Sequence, residues 1–236
     1  MKLHSIVIPA HNEGETLQAF VSAFIEDLSR ALPHVQFEVL IIENGSTDDT
    51  LEQANILKAR YPEKVMVLSN KRGSYGEAIK RGMQESRGIH LSILECDFLK
   101  VDFVVQSIRV LEARKAKFIV ASKNHPESID HRPLKRRVLT YVFNRILKVF
   151  FFYPGSDTHG LKSIDTALAK ELCRLAITTD EIFQTEIVLL AWKLGENIFE
   201  LPICIEEVRS TPVSIKRRFP MVIDLVRQLR RSLRRF

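Results

Sequence analysis

Five short apolar runs punctuate the first half of the chain: SIVIP (5–9), FEVLIIE (37–43), VMVLS (65–69), LSILE (91–95) and KFIVAS (117–122). Between them lie GETLQAFVSAFIEDLSRAL, TDDTLEQANILKARY, YGEAIKRGMQESRG and DFVVQSIRVLEA, each with apolar residues at helical spacing. Short continuous apolar runs are strands buried on both faces, and the helices between them are crossovers. The alternation therefore predicts an α/β fold, with a mainly parallel central sheet and helices on both faces.

Open sheets of this kind bind ligands at the carboxyl ends of their strands. Pro9, His11, Asn12 and Glu13 follow the first run, and Glu43, Asn44, Gly45 and Ser46 the second. Asn70, Lys71, Arg72 and Gly73 follow the third, Glu95, Cys96 and Asp97 close the fourth, and Ser122, Lys123 and His125 end the fifth. Strand ends are commonly polar, but this mixture of acids, amides and glycine turns on one rim has the make-up of a site. Asn12, Glu13, Ser46 and Asp49 also suit helix capping, a role compatible with ligand contact. Lys71, Arg72 and Gly73 precede a helix start, where a cation and free backbone amides favour anionic groups.

The second half reads differently. PLKRRVLTYVFNRILKVFFFYP is a long amphipathic helix, and GSDTHGLKSI is a loop feeding a short strand. IDTALAKELCRLA and EIFQTEIVLLAWKLG are helices, and IFELPICIEE is a late strand that Pro202 confines to an edge or breaks. In the tail, Phe219, Val222, Val226, Leu229, Leu233 and Phe236 recur every three or four residues, with Arg227, Arg230, Arg231, Arg234 and Arg235 on the other side. Pro220 suits its first turn. The pattern is a C-terminal basic amphipathic helix of the membrane-surface type, where each cation adds ~1 kcal/mol near an anionic leaflet. The competing arrangement docks that helix on the protein's own core; the membrane surface is favoured.

Charge narrows the partners. The net charge of +6 collects in HRPLKRR (131–137) and in residues 216–235. A basic balance suits nucleic acid, anionic lipid or phosphorylated ligands. Without aromatic interleaving or a recognised motif, nucleic acid is set aside. The three cysteines are scattered, which fits a reducing compartment. No apolar stretch approaches the ~20 residues of a spanning helix. MKLHSIVIPA also lacks the apolar core and cleavage site of a signal peptide. The expectation is a cytoplasmic protein, peripheral at the inner face of the membrane.

IVIPAHNEGETL followed by VLIIENGSTDDT resembles the opening of family 2 glycosyltransferases with the GT-A (Rossmann-like) fold. KRGSYGEAIKRGMQESRG resembles their third segment, and ECD stands where the family has Asp-x-Asp. PLKRRVLTYVFN, DTHGLKSI and EIFQTEIVLLAWKLGENIFELPI are similar to segments of dolichyl-phosphate mannosyltransferases and other polyprenyl-phosphate glycosyltransferases. The likeness runs in order from residue 5 to about 216, nearly the whole chain. It implies one GT-A domain over 1–212, with a nucleotide-sugar half (1–122) and an acceptor half (123–212), then a basic loop and tail helix over 213–236.

The resemblance implies an inverting transfer from a UDP- or GDP-linked sugar to a polyprenyl phosphate at an anionic membrane surface. It places the donor on Pro9, His11, Asn12, Glu13, Glu43, Asn44, Ser46, Lys71, Arg72, Gly73, Glu95, Cys96, Lys162 and Lys216. Val213, Ser214 and Lys216 match a basic loop that closes over the donor phosphates. Mg²⁺ or Mn²⁺ would bridge the diphosphate through Asp97, with Glu95 a longer partner and His159 a supplementary ligand. Leu99 stands where some relatives carry a ligating Gln. Lys123, Arg136, Thr140 and Gln184 match acceptor contacts; Lys123 and Lys162 stand for family arginines, keeping charge but losing the guanidinium fork. A lipid phosphate is already nucleophilic and needs no general base. A hydroxyl acceptor would need one, with Asp180, Glu181 and Glu186 as candidates. Asp97, Arg136 and Glu186 form the expected catalytic set. Two other readings are a family 2 enzyme acting on a hydroxyl of a glycan, glycolipid or metabolite, and a non-catalytic nucleotide-sugar-binding relative with an altered metal motif.

Overall fold

The computed structural model describes residues 2–71, 73–205 and 226–233. Its strands and helices follow the alternation of the sequence: β1 (Leu3–Ala10), α1 (Gly14–Ala31), β2 (Gln36–Asn44), α2 (Thr50–Arg60), β3 (Val65–Asn70), α3 (Tyr75–Glu85), β4 (His90–Ile93), α4 (Val101–Glu112) and β5 (Phe118–Ser122). The second half adds β6 (Ile129–Asp130), α5 (Leu134–Phe151), β7 (Lys162–Asp165), α6 (Thr166–Leu175), α7 (Phe183–Lys193), β8 (Ile198–Pro202) and β9 (Cys204–Ile205).

Seven strands form the main sheet in the order β3-β2-β1-β4-β7-β5-β8. All neighbours are parallel except β7, which runs antiparallel to both β4 and β5. Pro202 ends β8 at the sheet edge, where a missing amide hydrogen leaves no ladder partner unpaired. Strands β6 and β9 pair separately.

Period-two alternation sends side chains to two cores. Val7, Leu40, Ile42, Ile93, Phe118 and Ile164 face α3, α6 and α7. Ile6, Ile8, Val39, Ile41, Ile119 and Ala121 face α1, α2 and α4. The α3 helix approaches β1 closely at Gly82, where a Cβ would fall 2.2 Å from Val7 Cγ1.

The tail reverses one expectation. Residues 226–233 are helical and pack on the protein itself: Leu229 and Ser232 are fully buried, and Leu233 nearly so. Val226, Leu229 and Leu233 join the core formed by α6 and α7, and Lys193 Nζ donates to the Leu233 carbonyl at 3.0 Å. The apolar stripe thus finds its partner inside the protein, and Arg230 stacks over Phe150 at 5.1 Å. Phe219, Pro220, Val222, Arg234, Arg235 and Phe236 lie outside the described residues.

Candidate donor and acceptor site

Successive strands are laid down on opposite sides of β1, so strand order reverses between β1 and β4. That reversal opens a crevice at their carboxyl ends. On its β1–β2 side two loops are tied together. Asn12 takes a left-handed conformation at φ 54°, tolerable for its short amide side chain. Its backbone N–H donates to Ser46 Oγ at 3.1 Å, and its Oδ1 accepts from Thr47 N at 2.9 Å. Glu13 N donates to Thr50 Oγ1 at 2.8 Å, and Gly14 N to Asp48 at 3.0 Å. His11 Nδ1 bridges to the Asn44 carbonyl at 3.0 Å. Gly73 closes the group; a Cβ there would lie 3.0 Å from that same carbonyl.

Glu43 and Asn44 are buried and serve this framework. Glu43 accepts from Ser46 N and Ser69 Oγ, both at 2.5 Å, while Asn44 Oδ1 accepts from Ser74 N at 3.0 Å. Burial pushes the Glu43 carboxyl upward, but its hydrogen-bond donors outweigh that and hold it below the usual range. Pro9 pairs with Ile42 inside the sheet. His11, Asn12 and Lys71 are exposed at the rim, and Glu13 and Ser46 are half-buried. Arg72 and Lys216 lie outside the described residues.

The ECD segment divides its two acids between different tasks. After β4 the chain turns sharply, with Phe98 N donating to the Glu95 carbonyl at 2.9 Å. Asp97 sits in this turn, half-exposed, and Cys96 is buried. The Glu95 carboxylate instead points inward, accepting from Tyr75 Oη and, at 3.1 Å, from Gln184 Nε2. Gln184 also donates to Tyr75 Oη, and its own Oε1 accepts from Lys162 Nζ. A buried polar chain, Lys162–Gln184–Tyr75–Glu95, thus underlies the rim. Desolvation lowers the Lys162 ammonium to about 7 against the pull of Asp157 and Glu95, and raises the Glu95 carboxyl.

This arrangement tests the metal reading. Among the described residues no three His, Cys, Asp or Glu side chains converge as a ligand cluster. The expected trio of Asp97, Glu95 and His159 is therefore not assembled. Glu95 is committed to Tyr75 and Gln184, and His159 lies edge-on to Phe143 at 4.9 Å. Asp97 alone fits a hard cation that draws its other ligands from substrate phosphate and water, as Mg²⁺ commonly does.

On the candidate acceptor side, β5 ends at Ser122, with Lys123 next in the chain, on the same rim as the end of β4. One strand separates them, so the two ends stand about 10 Å apart at ordinary strand spacing. Lys123 Nζ pairs with the buried Asp157 at 3.1 Å. Burial opposes ionisation of Asp157, but Lys123 and the Lys123 and His159 amides outweigh it and lower the carboxyl to about 2. A cavity of about 480 Å³ opens here, lined by Lys123, Arg137, Tyr141, Asn144, Arg145 and Lys148 among others. Asn144 Nδ2 is buried without a hydrogen-bond partner.

Arg136 and Thr140 share a helix face as expected, but Thr140 Oγ1 donates to the Arg136 carbonyl at 3.0 Å. Arg132, held on Asp130 through two guanidinium hydrogen bonds and one from its backbone N–H, approaches Thr140 at 3.4 Å. The lysines and arginines of the cavity are Lys123, Arg137, Arg145 and Lys148; Arg136 is not among them. Spacing could have pointed to two of them, since Arg137, Tyr141, Asn144 and Lys148 recur every three or four residues on one stripe. Tyr75 had no such signal.

Two further expectations change. Lys162, placed at the donor by resemblance, is fully buried and serves Gln184 and the Gly160 carbonyl. Glu186 is also fully buried. Its carboxylate accepts from Ile177 N and Thr178 N, each at 2.9 Å, and from the hydroxyls of Thr178 and Ser232.

Comparison with known proteins places this geometry. The chain is 28% identical over 218 residues to glycosyltransferase AglD of Haloferax volcanii, covering 90% of this chain but 34% of that protein. It is 29% identical over 224 residues to the dolichyl-phosphate beta-glucosyltransferase of Drosophila melanogaster, covering 89% of this chain and 67% of that protein. It therefore spans about a third of the first relative and two thirds of the second. In fold it is similar to glucosyl-3-phosphoglycerate synthase from Mycobacterium tuberculosis. The complex of that enzyme with phosphoglyceric acid superposes at a TM-score of 0.71, with 18% identity over 98% of this chain and 80% of the other. Its complex with Mn²⁺, UDP and glucosyl-3-phosphoglycerate superposes at 0.67, with 18% identity over 98% of this chain and 78% of the other. The likeness establishes the GT-A architecture. The model of Glycosyl transferase family 2 matches residues 5–159, from the first strand through both donor loops, the ECD turn and α5, and the chain belongs to that family.

Proposed function

We propose that this protein is an inverting glycosyltransferase that moves a sugar from a nucleotide-diphosphate donor to a lipid phosphate. The observation that carries the acceptor half is the basic cavity beside β5. Arg137, Arg145 and Lys148 line it, and Asn144 contributes a buried donor in need of an oxygen. An acceptor that arrives as an anion needs charge screening and alignment, which such a cavity supplies. It needs no base, which agrees with Glu186 being engaged within the fold. Dolichyl-phosphate glucosyltransferases among the relatives give the same direction.

The donor half rests on the interlocked loops at the β1/β4 crevice. The exposed rim of His11, Asn12 and Lys71 offers donors and acceptors to a base and ribose, and Asp97 is the residue that would hold a Mg²⁺ or Mn²⁺ ion. A structural relative holds Mn²⁺ together with UDP. When bound, such a cation would supply charge neutralisation for the departing diphosphate. Everything else is positioning by the chain: Tyr75 and Gln184 fix Glu95 and with it the turn that presents Asp97.

The test is transfer of radiolabelled sugar from UDP- or GDP-linked donors to a short polyprenyl phosphate, with and without Mg²⁺ or Mn²⁺. Label should become extractable into organic solvent and be lost in folded Asp97→Ala. Turnover on hydroxyl acceptors alone would refute the lipid-phosphate reading.

A further inference from the structure

The segment joining α6 to α7, residues 176–182, is neither helix nor strand, yet it is gripped from two sides. On one side the buried Glu186 carboxylate accepts from the Ile177 and Thr178 backbone N–H groups, each at 2.9 Å, and from the Thr178 hydroxyl. On the other, the Thr179 carbonyl accepts from Glu77 N at 3.0 Å and from the Ser74 hydroxyl. Gly76 lets the two backbones meet, since a Cβ there would lie 2.5 Å from the Thr179 carbonyl carbon.

These contacts hold the first turn of α3. The opening amides of a helix have no partner within it. Ser74, at the N-cap, makes no side-chain capping bond; its hydroxyl goes to Thr179, whose carbonyl also takes the Glu77 amide. The cap of α3 is therefore supplied by a segment about a hundred residues away in the chain. The same turn belongs to the donor rim. Ser74 N donates to Asn44 Oδ1 at 3.0 Å, and Tyr75 places its hydroxyl on Glu95.

Glu186 also reaches the C-terminal helix. The Ser232 hydroxyl, fully buried, donates to Glu186 Oε1, the oxygen that Ile177 N uses as well. Bonds that share an acceptor in a water-excluded site constrain one another. Withdrawing the tail takes a donor from a shielded carboxylate, and the donors that remain all lie in residues 177–178.

We infer that Glu186 is a positioning residue that couples docking of the C-terminal helix to the order of the donor rim. Its carboxylate joins Ser232 to the 177–178 amides, and Thr179 carries the restraint on to Ser74, Gly76 and Glu77. The tail thereby sets donor affinity without touching the donor. This inference rests on the donor half of the reading above.

The test combines hydrogen exchange of the nucleotide-free full chain with calorimetric titration of UDP and of GDP, each with Mg²⁺. Ser232→Ala should speed exchange at the Ser74 and Glu77 amides, and weaken whichever nucleotide the wild type binds, roughly fivefold in each case. Thr178→Val should do the same, and Thr178→Ser should restore both. Ile108→Val, a loss of stability of similar size in the opposite core, should move neither. By reciprocity, bound nucleotide should slow exchange in residues 229–233. In transfer assays the donor KM should rise in Ser232→Ala while the acceptor KM stays. The inference alone is overturned if folded Ser232→Ala and Thr178→Val exchange and bind like the wild type, or if Ile108→Val matches them. If neither nucleotide binds the wild type, the donor reading falls and the inference falls with it.

Discussion

Replacing Glu186 by Gln separates a structural carboxylate from a chemical one. The native side chain receives two backbone N–H groups and two hydroxyls without touching solvent. Hydrogen bonds to a charged group contribute about 1.5–3 kcal/mol each when one partner is removed, and a buried donor left unpaired costs about 1–3 kcal/mol. The amide keeps one acceptor oxygen and turns an NH₂ toward donors that had a partner. Glu186→Gln should therefore lose about 2–3 kcal/mol, or roughly 5–10 °C in Tm for a chain of this size. Ser232→Ala removes one donor and leaves the carboxylate three, so it should cost about 1.5 kcal/mol, the low end of that range. The double variant should lose less than the sum, because both changes break the same contact. Urea unfolding measures the stabilities, and label transfer below the melting range measures activity. Glu186→Gln with wild-type stability and no turnover would refute the structural assignment. Strict additivity with Ser232→Ala would refute the contact between the tail and α7.

Other consequences are equally direct. Lys162 has a folded pKa of about 7, far below its unfolded value near ~10.4, so the unfolded state binds the extra proton between those values. Stability measured relative to Lys162→Met should rise from pH 7 to pH 10; a flat difference would remove the buried ammonium. Asp157 has the opposite consequence. Its folded pKa of about 2 gives a contribution present above about pH 4 that is lost as pH falls toward 2, and Asp157→Asn should abolish that acid-limb loss. Tyr75→Phe removes the hydroxyl that Glu95 and Gln184 share, and should cost about 1–2 kcal/mol in urea unfolding while slowing transfer. An unchanged rate would separate this chain from the presentation of Asp97.

The five early strands are legible because burial on both faces writes itself into sequence as continuous apolar runs. LSILE ends earlier than its run suggests, at Ile93, because the turn that presents Asp97 begins at once. The donor loops are legible because turn chemistry is local. The acceptor side is less so. A helical period shows that α5 and the tail are amphipathic, but not which partner covers the apolar face. The tail found its partner in α6 and α7, contacts distant in sequence, whereas α5 divides its surface among core, cavity and exterior. Glu186 shows the same limit: composition near a site marks an acid, and only packing shows which groups engage its oxygens.

The reversed strand β7 also dictates an order of assembly. Strands β3, β2, β1 and β4 pair with one another and are complete once residue 93 has joined the chain. β5 pairs with neither β4 nor any other early strand; its ladder partners are β7 and β8. It must wait for residues 162–165 to return before it has an edge to pair with, a delay that local contacts do not impose. The nucleotide side can thus close early during synthesis, while Lys123 and its cavity take shape only after the intervening chain has folded back. Damage to the four residues of β7 should therefore strand the acceptor side as a loosely attached appendage, with the donor crevice still formed.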